Sequence, residues 1–132
     1  ISHNKSLKGH SDADVGWHAV TDAILGAIGL GDIGEHFPDT KKDWENADSS
    51  IFLKFANEKA LEKKATINNI DITIICEKPK LSKYKEMMRG KTAETLSIAI
   101  DKVNIKATTC EKMGFLGREE GIAALATVSI SI

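Results

Sequence analysis

The sequence predicts an α/β protein, a two-layer sandwich in which a mixed β-sheet carries its helices on one face. Apolar residues recur at helical spacing in three segments, and in three others they alternate with polar residues. The segments follow one another in the order α, α, β, α, β, β, which is typical of this architecture. A chain of 132 residues has about the length of one domain, so we expect a single domain spanning residues 1–132.

The first helix is predicted from about Asp12 to Gly29. Ser11 and Asp14 have the spacing of a capping box, and apolar residues then follow at helical intervals. Glycines and a proline end the helix and open a loop that continues to Trp44. Loops of this length usually carry function.

The second helix is predicted to begin at Asp48 or Ser49, since either side chain can cap a first turn. Asn68 and Asn69 are expected to form the turn after it. The predicted apolar face of this helix consists of Ile51, Phe52, Phe55, Ala56 and Ala60.

Strands are predicted over residues 70–75, 103–108 and 122–132, with a third helix from about Tyr84 to Ile100. In the last strand neither side is polar enough to be fully solvated. Because the predicted helices cover only one face of the sheet, we expect a homo-oligomer that stacks its sheets to cover the other.

Charge and composition exclude several kinds of partner. Lys and Arg number 18 against 19 Asp and Glu, and no basic block is longer than a pair, so we expect no nucleic acid and no anionic membrane as a partner. The longest apolar run is well short of the ~18 residues that a membrane span needs. Cys76 and Cys110 are isolated and no targeting segment is visible, which favours free thiols and a cytoplasmic location, or a plastid-type organelle in a eukaryote.

A polar stripe interrupts the first predicted helix. Asp14, His18 and Asp22 are spaced i, i+4, i+8, which places two carboxylates and an imidazole on one side of a helix. Two carboxylates can orient an imidazole and keep it basic, as the partners of a metal-bound histidine do. The alternative interpretation is an ordinary solvated face, because charge pairs at this spacing are common.

Residues 29–34 match the dinucleotide-binding pattern G-x-G-x-x-G, but they leave a helix instead of following a strand. We interpret these glycines as a helix end with tight turns, which would expose Asp32 and the amide of Gly34 to a ligand.

Residues 106–118 gather hydroxyls, a carboxylate and a cation where the second strand ends. Threonine hydroxyls and loop amides can bind phosphate oxygens, Glu111 can bind a hard divalent ion, and Arg118 can neutralise charge. The alternative is a plain strand end followed by a glycine turn. Residues 78–80 are likewise either a solvated turn or one wall of a nucleotide pocket.

Several motifs occur in a fixed order along the chain. They are Gly9-His-Ser-Asp-Ala-Asp-Val-Gly-Trp-His18, Thr21-Asp22-Ala23, Leu30-Gly-Asp-Ile-Gly34, Phe37-Pro-Asp-Thr40, Ala47-Asp48-Ser49, Val103-Asn-Ile-Lys-Ala-Thr108-Thr109, Glu111-Lys112, Gly114-Phe115 and Gly117-Arg118. From about Ile1 to Ile132 the sequence therefore resembles the 2-C-methyl-D-erythritol 2,4-cyclodiphosphate synthases of the non-mevalonate isoprenoid pathway.

The resemblance implies a homotrimer with active sites at subunit boundaries, each holding a catalytic Zn²⁺ and a Mg²⁺ or Mn²⁺. The small-molecule substrate would be 4-diphosphocytidyl-2-C-methyl-D-erythritol 2-phosphate. Its 2-phosphate attacks the β-phosphorus, a cyclic diphosphate closes and CMP leaves. No protein nucleophile is needed, so catalysis would consist of positioning and charge neutralisation.

The resemblance also implies a role for individual residues. His18 would bind zinc, Glu111 would bind the second metal, and His10 with Thr109 would stabilise the transition state. We interpret Asp14 and Asp22 as further partners around His18. The other substrate-binding residues would be Ser11, Asp32, Gly34, Phe37, Pro38, Asp39, Thr40, Lys41, Thr108, Cys110, Phe115 and Arg118. The cytidine pocket would be lined by Cys76, Glu77, Lys78, Pro79, Lys80, Leu81 and Ser82.

The sequence departs from the family pattern in its zinc ligands. In the family an Asp and a His of a Gly-Phe-Asp-Val-His motif complete the zinc site, and these 132 residues do not contain that motif. We therefore expect a domain lacking its N-terminal metal-ligand segment. Cys110 stands where a threonine is usual, and Lys41 where an acidic residue often stands. The alternatives are a non-catalytic trimer that binds cytidine nucleotides without zinc, and a metal-dependent phosphohydrolase that releases inorganic phosphate.

Overall fold

The computed structural model describes residues 3–38, 49–75, 84–108 and 123–132, with the side chains of residues 3–13 left out. The elements are α1 (His3–Ala27), α2 (Ile33–His36), α3 (Ser49–Glu62), β1 (Thr66–Ile75), α4 (Lys85–Leu96), a 3-10 turn (Ile100–Lys102), β2 (Val103–Thr108) and β3 (Ala123–Ser131). In these ranges no helix is long and apolar enough to cross a membrane.

The described strands form one mixed sheet in the order β2-β1-β3, which confirms the predicted sheet type. Strand β1 pairs in parallel with β2 and antiparallel with β3. Ile70, Ile72 and Ile74 are buried, and the residues between them are half-buried, as the alternation predicts. Helix α1 packs on the isoleucine face, where a Cβ at Gly16 would lie 3.3 Å from Ile74 Cδ1.

A bulge in β1 corrects the predicted turn at Asn68 and Asn69, which lie inside the strand. The register passes from the Ile67–Ile130 pair to the Asn69–Ser129 pair, so Asn68 is the extra residue. The bulge lets Ile67 and Ile70 both face the core although they are three positions apart in the strand. The side-chain Nδ2 of Asn68 donates a hydrogen bond to Ser131 Oγ at 2.8 Å.

Helix α1 begins at His3, so the predicted start near Asp12 is wrong, and the capping-box residues lie within the helix. Once a helix has nucleated, each further residue adds a backbone hydrogen bond, and an internal Ser or Asp does not stop it. At its other end the amide of Leu30 donates to Leu25 O at 2.8 Å, and Gly29 adopts a φ of +74°. This is a Schellman motif, and it confirms the interpretation of Gly29 as the helix end.

The other two long helices end with the same motif but without glycine. Lys64 follows α3 with a φ of +59°, and Ser97 follows α4 with a φ of +56°. The amides of the next residues, Ala65 and Ile98, donate to carbonyls five residues back in the chain. Helix α4 ends at Leu96, earlier than predicted. The predicted helix continued to about Ile100 because no glycine in the sequence marks its end.

The buried face of α3 differs from the predicted one at two positions. Leu53 is fully buried, whereas Ile51 is 44% exposed. Phe52, Leu53, Ala56 and Ala60 form the apolar arc, in which Leu53 and Ala60 are seven residues apart. The helix begins at Ser49, one of the two predicted starting residues, and Asp48 lies outside the described residues.

A buried hydroxyl joins α1 to α4 within the core. Trp17 Nε1 donates to Thr92 Oγ1 at 2.8 Å, and the same hydroxyl donates to Met88 O at 2.7 Å. Thr92 is fully buried, so both of its polar contacts replace water. The Trp17 bond joins the middle of α1 to α4 at the residue before His18.

The opposite face of the sheet carries charged and exposed side chains. Lys106 Nζ lies 2.7 Å from Asp71 Oδ2, and Asn104 Nδ2 donates to Asp71 Oδ1 at 2.8 Å. The Lys106 contact first, and the Asn104 hydrogen bond second, hold the pKa of Asp71 below its ordinary value. Leu125, on the neighbouring strand, is 65% exposed. The α/β sandwich is thus observed with this second face exposed in the single chain.

Candidate functional site

The polar stripe of α1, here called the seam, contacts residues of other segments. Asp14, His18 and Asp22 follow one another at one-turn intervals, as the spacing predicts, but each of them contacts a different neighbouring residue. The two carboxylates therefore do not act as hydrogen-bond partners of the imidazole in this structure.

Asp14 anchors the first residue of α3. Ser49 Oγ donates to Asp14 Oδ1 at 2.5 Å, and Ser49 is only 2% exposed. The hydroxyl of Ser49 thus binds α1 instead of capping its own helix. The two residues are separated by 35 positions in the chain, so no local spacing could have predicted the contact.

His18 is exposed and packs against one buried ring. The imidazole meets Phe52 at a centroid distance of 5.5 Å and an interplanar angle of 70°. Phe52 also meets Phe37 edge to face at 4.9 Å. Phe52 therefore packs against both His18, the predicted zinc ligand, and Phe37, a predicted substrate-binding residue. The helical pattern assigned Phe52 only to the core and did not predict this role.

A second ring extends this cluster toward the end of α2. Phe55 lies 5.0 Å from the ring of Phe37 and 5.0 Å from that of His36. His36 Nε2 donates to Leu30 O at 2.7 Å, and this hydrogen bond joins the end of α2 to the segment that follows α1. His36 is thus a structural histidine, and it fixes the backbone immediately before Phe37.

Asp22 holds the turn that leads into α2. Its Oδ1 accepts a hydrogen bond from the amide of Ile33 at 2.8 Å. Asp32 caps α2, its Oδ1 accepting from the Glu35 amide at 3.0 Å. Asp32 and Gly34 are both exposed, as the sequence interpretation predicts for a ligand-facing turn.

Gly31 is required by the shape of this turn. Its φ is +79°, a conformation that L residues rarely adopt. A Cβ at Gly31 would also meet the Glu35 carboxylate, the end of an exposed side chain that can move aside. The glycines thus let the chain fold back sharply and bring Asp32 beside α1.

The two parallel strands end side by side. Ile75, the last residue of β1, pairs with Thr108, the last residue of β2, and on its other side with Ala123 of β3. The predicted cytidine segment begins with Cys76, which directly follows Ile75, and the predicted diphosphate-binding residues begin with Thr108 itself. Ligands of open α/β sheets bind at the carboxyl ends of such strands. Helix α1 crosses the same end, with Gly16 against Ile74 and Ile72.

The remaining predicted residues are described only in part. Thr108 is exposed and Pro38 is half-buried. His10 and Ser11 belong to α1, but their side chains are not described. Predicted residues outside the described ranges are Asp39, Thr40, Lys41, the segment Cys76 to Ser82, Thr109, Cys110, Glu111, Phe115 and Arg118.

The described residues do not fit a complete zinc site. No three side chains among His, Cys, Asp and Glu of the described ranges come together in a way that could hold a metal ion. A catalytic zinc takes three protein ligands, and here His18 is one donor while Asp14 and Asp22 bind other groups. A complete zinc site would therefore need ligands from outside the described residues.

Comparison with known proteins identifies the family. The model of the YgbB family matches residues 1–131. The bifunctional enzyme IspD/IspF of Caulobacter vibrioides is 55% identical over 130 residues, which are 98% of this chain and 34% of that protein. The chain thus spans about one third of the length of this relative.

Two solved structures have the same fold. The bifunctional IspDF of Campylobacter jejuni is 47% identical with a TM-score of 0.85, covering 88% of this chain and 31% of that one. A 2C-methyl-D-erythritol-2,4-cyclodiphosphate synthase in a CDP-bound form is 28% identical with a TM-score of 0.78, covering 87% of this chain and 74% of that one. The resemblance to these synthases is confirmed. On the match of its sequence to the family model, the chain belongs to the YgbB family.

Proposed function

We propose that this protein is a 2-C-methyl-D-erythritol 2,4-cyclodiphosphate synthase of isoprenoid precursor biosynthesis. It would convert 4-diphosphocytidyl-2-C-methyl-D-erythritol 2-phosphate into the cyclic diphosphate and CMP. Membership of the YgbB family and 55% identity to a bifunctional IspD/IspF enzyme support the proposal. The observation that carries it is the pairing of Ile75 with Thr108 at the carboxyl ends of β1 and β2. The predicted cytidine and phosphate-binding segments continue from these two residues, at the end of the sheet that α1 crosses.

The proposed reaction needs a rigid frame more than a reactive side chain. An oxygen of the 2-phosphate forms a bond to the β-phosphorus while the bond from that phosphorus to the CMP oxygen breaks. Bringing these atoms into line can supply several kcal/mol of the barrier, roughly 7–11 in favourable cases. Asp32 and Gly34 would hold the methylerythritol part, and the segment Cys76 to Ser82 would hold the cytidine, so the scissile bond would lie between the two. His10 and Thr109 would bind the phosphate chain.

Two metal ions belong to the proposal. Zn²⁺ at His18 and Mg²⁺ or Mn²⁺ at Glu111 would neutralise the negative charge of the phosphates. The exposed His18 imidazole, with Phe52 supporting one edge of its ring, is suited to binding an ion. It supplies one ligand, so the others must come from outside the described residues.

Assembly and location complete the proposal. A homotrimer would cover the second face of the sheet, where Leu125 is 65% exposed. The domain would comprise residues 1–132, and it would act in the cytoplasm on a small-molecule substrate. CDP, which occupies the bound form of the synthase relative, is the expected competitor at the cytidine segment.

The test is a product analysis of the protein supplied with Zn²⁺, Mg²⁺ and the diphosphocytidyl substrate. Release of CMP with an equal amount of cyclic diphosphate, seen by chromatography and phosphorus NMR, is expected. Inorganic phosphate in place of CMP would identify a phosphohydrolase. CDP binding by calorimetry without any turnover would identify a nucleotide-binding protein.

A further inference from the structure

We infer that Asp22 is a positioning residue that sets the place of the substrate-binding turn relative to His18. The inference deepens the proposed function and rests on it. Asp22 bears a carboxylate one helical turn beyond His18 on α1, and its Oδ1 accepts from the Ile33 amide at 2.8 Å. Ile33 stands between Asp32 and Gly34, the two residues expected to meet the methylerythritol part.

The internal shape of the turn does not depend on Asp22. Gly29 and Gly31 set the backbone direction through their positive φ angles. The Asp32 carboxylate binds the Glu35 amide, and the Phe37 amide donates to Ile33 O at 2.7 Å. These bonds join residues of the turn to one another, so they would persist without a side chain from α1.

Asp22 instead joins the turn to the helix that carries the histidine. Its hydrogen bond spans 11 residues and ends on the peptide group between Asp32 and Ile33. A shift of this peptide group would move both the Asp32 carboxylate and the Gly34 amide, because Asp32 and Gly34 are the two neighbours of Ile33 in the chain. The Asp22 contact thus fixes the distance between the turn and His18, which substrate binding across the two would require.

The Asp22 carboxylate accepts this hydrogen bond through one oxygen, Oδ1. The bond lies at the surface, with Asp22 exposed and Ile33 half-buried, so removal of the acceptor leaves the Ile33 amide to water without opening the core. Asp22→Leu should therefore fold normally while losing the tie. Asp22→Asn keeps an oxygen at the Oδ1 position and removes the charge. The pair of variants separates the acceptor from the negative charge.

The experiment measures KM and kcat for the diphosphocytidyl substrate, the Kd of CDP, the melting temperature, and hydrogen exchange at the Ile33 amide. For Asp22→Leu we expect KM to rise about tenfold with kcat changed less than about threefold, because binding in the ground and transition states is lost together. The Ile33 amide should exchange faster, and the Kd of CDP should stay within about twofold. Asp22→Asn should restore KM to within about threefold of wild type.

Asp101→Leu is the matched control, since it removes an exposed acid from the 3-10 turn away from the site, and it should leave all readouts unchanged. Equal rises of KM in Asp22→Leu and Asp22→Asn would overturn the inference in favour of a charge effect. An unchanged KM in Asp22→Leu, with wild-type turnover intact, would overturn it outright. A wild-type protein that releases no CMP would instead overturn the proposed function itself.

Discussion

The two sides of α1 illustrate two different ways of using a helix. On the side that meets the sheet, Val20 and Ile24 are fully buried in the core. On the other side lies the seam of Asp14, His18 and Asp22, whose contacts are two hydrogen bonds and one ring contact. The apolar side contributes stability through removal of area from water, whereas the polar side positions segments of the candidate site. Stability and function should therefore respond to different substitutions on the same helix.

The largest effect is expected from the apolar side. Ile24→Ala should lower the free energy of unfolding by about 2–5 kcal/mol, because it leaves a cavity among fully buried neighbours. Chemical denaturation followed by circular dichroism measures it. Ile51→Ala, on the 44% exposed position of α3, is the control and should cost less than about 1 kcal/mol. Equal losses for the two variants would contradict the assigned core.

The smallest effect is expected from a polar contact outside the seam. The pKa of Asp71 is lowered by its contacts with Lys106 and Asn104, so its carboxylate stabilises the fold above its ordinary pKa of 3.8. That contribution is lost as the pH falls below 3.8 and through the lowered pKa. The contact is partly exposed, and we expect it to contribute only a few tenths of a kcal/mol.

The measurement is the free energy of unfolding of wild type and Asp71→Asn between pH 6 and the acid limit of the fold. The difference between the two proteins should shrink as the pH falls through this range. A difference that stays constant with pH would show that the ion pair has no part in stability.

Periodicity predicted the core because burial depends on local spacing. Ile70, Ile72 and Ile74 follow the period of a strand, and Val103 and Ile105 follow it in the neighbouring strand. The pattern was insufficient where a distant partner decides the conformation. The bulge at Asn68 exists only against β3, so the sequence of β1 alone could not show it.

Helix ends show the same limit. Gly29 marks one end, because glycine is favoured at a positive φ. Lys64 and Ser97 occupy the equivalent position at the other two ends, where the burial of Ala65 and the partial burial of Ile98 outweigh the local preference.

The sequence predicted which residues form the seam but not what they contact. The one-turn spacing placed Asp14, His18 and Asp22 on one side of α1, but their partners are an α3 hydroxyl, a core phenyl ring and a backbone amide. None of these partners is specified by the residues near the stripe. The spacing therefore indicated that the stripe has a task, and the structure shows what two of its three members hold.

The central claim is that the polar side of α1 provides chemistry without contributing much to stability. The most direct test compares His18→Ala with wild type in CMP release from the diphosphocytidyl substrate and in chemical unfolding. Turnover should fall about 100-fold or more, while the free energy of unfolding changes by less than about 1 kcal/mol and CDP still binds. CMP release at the wild-type rate by His18→Ala would contradict the account.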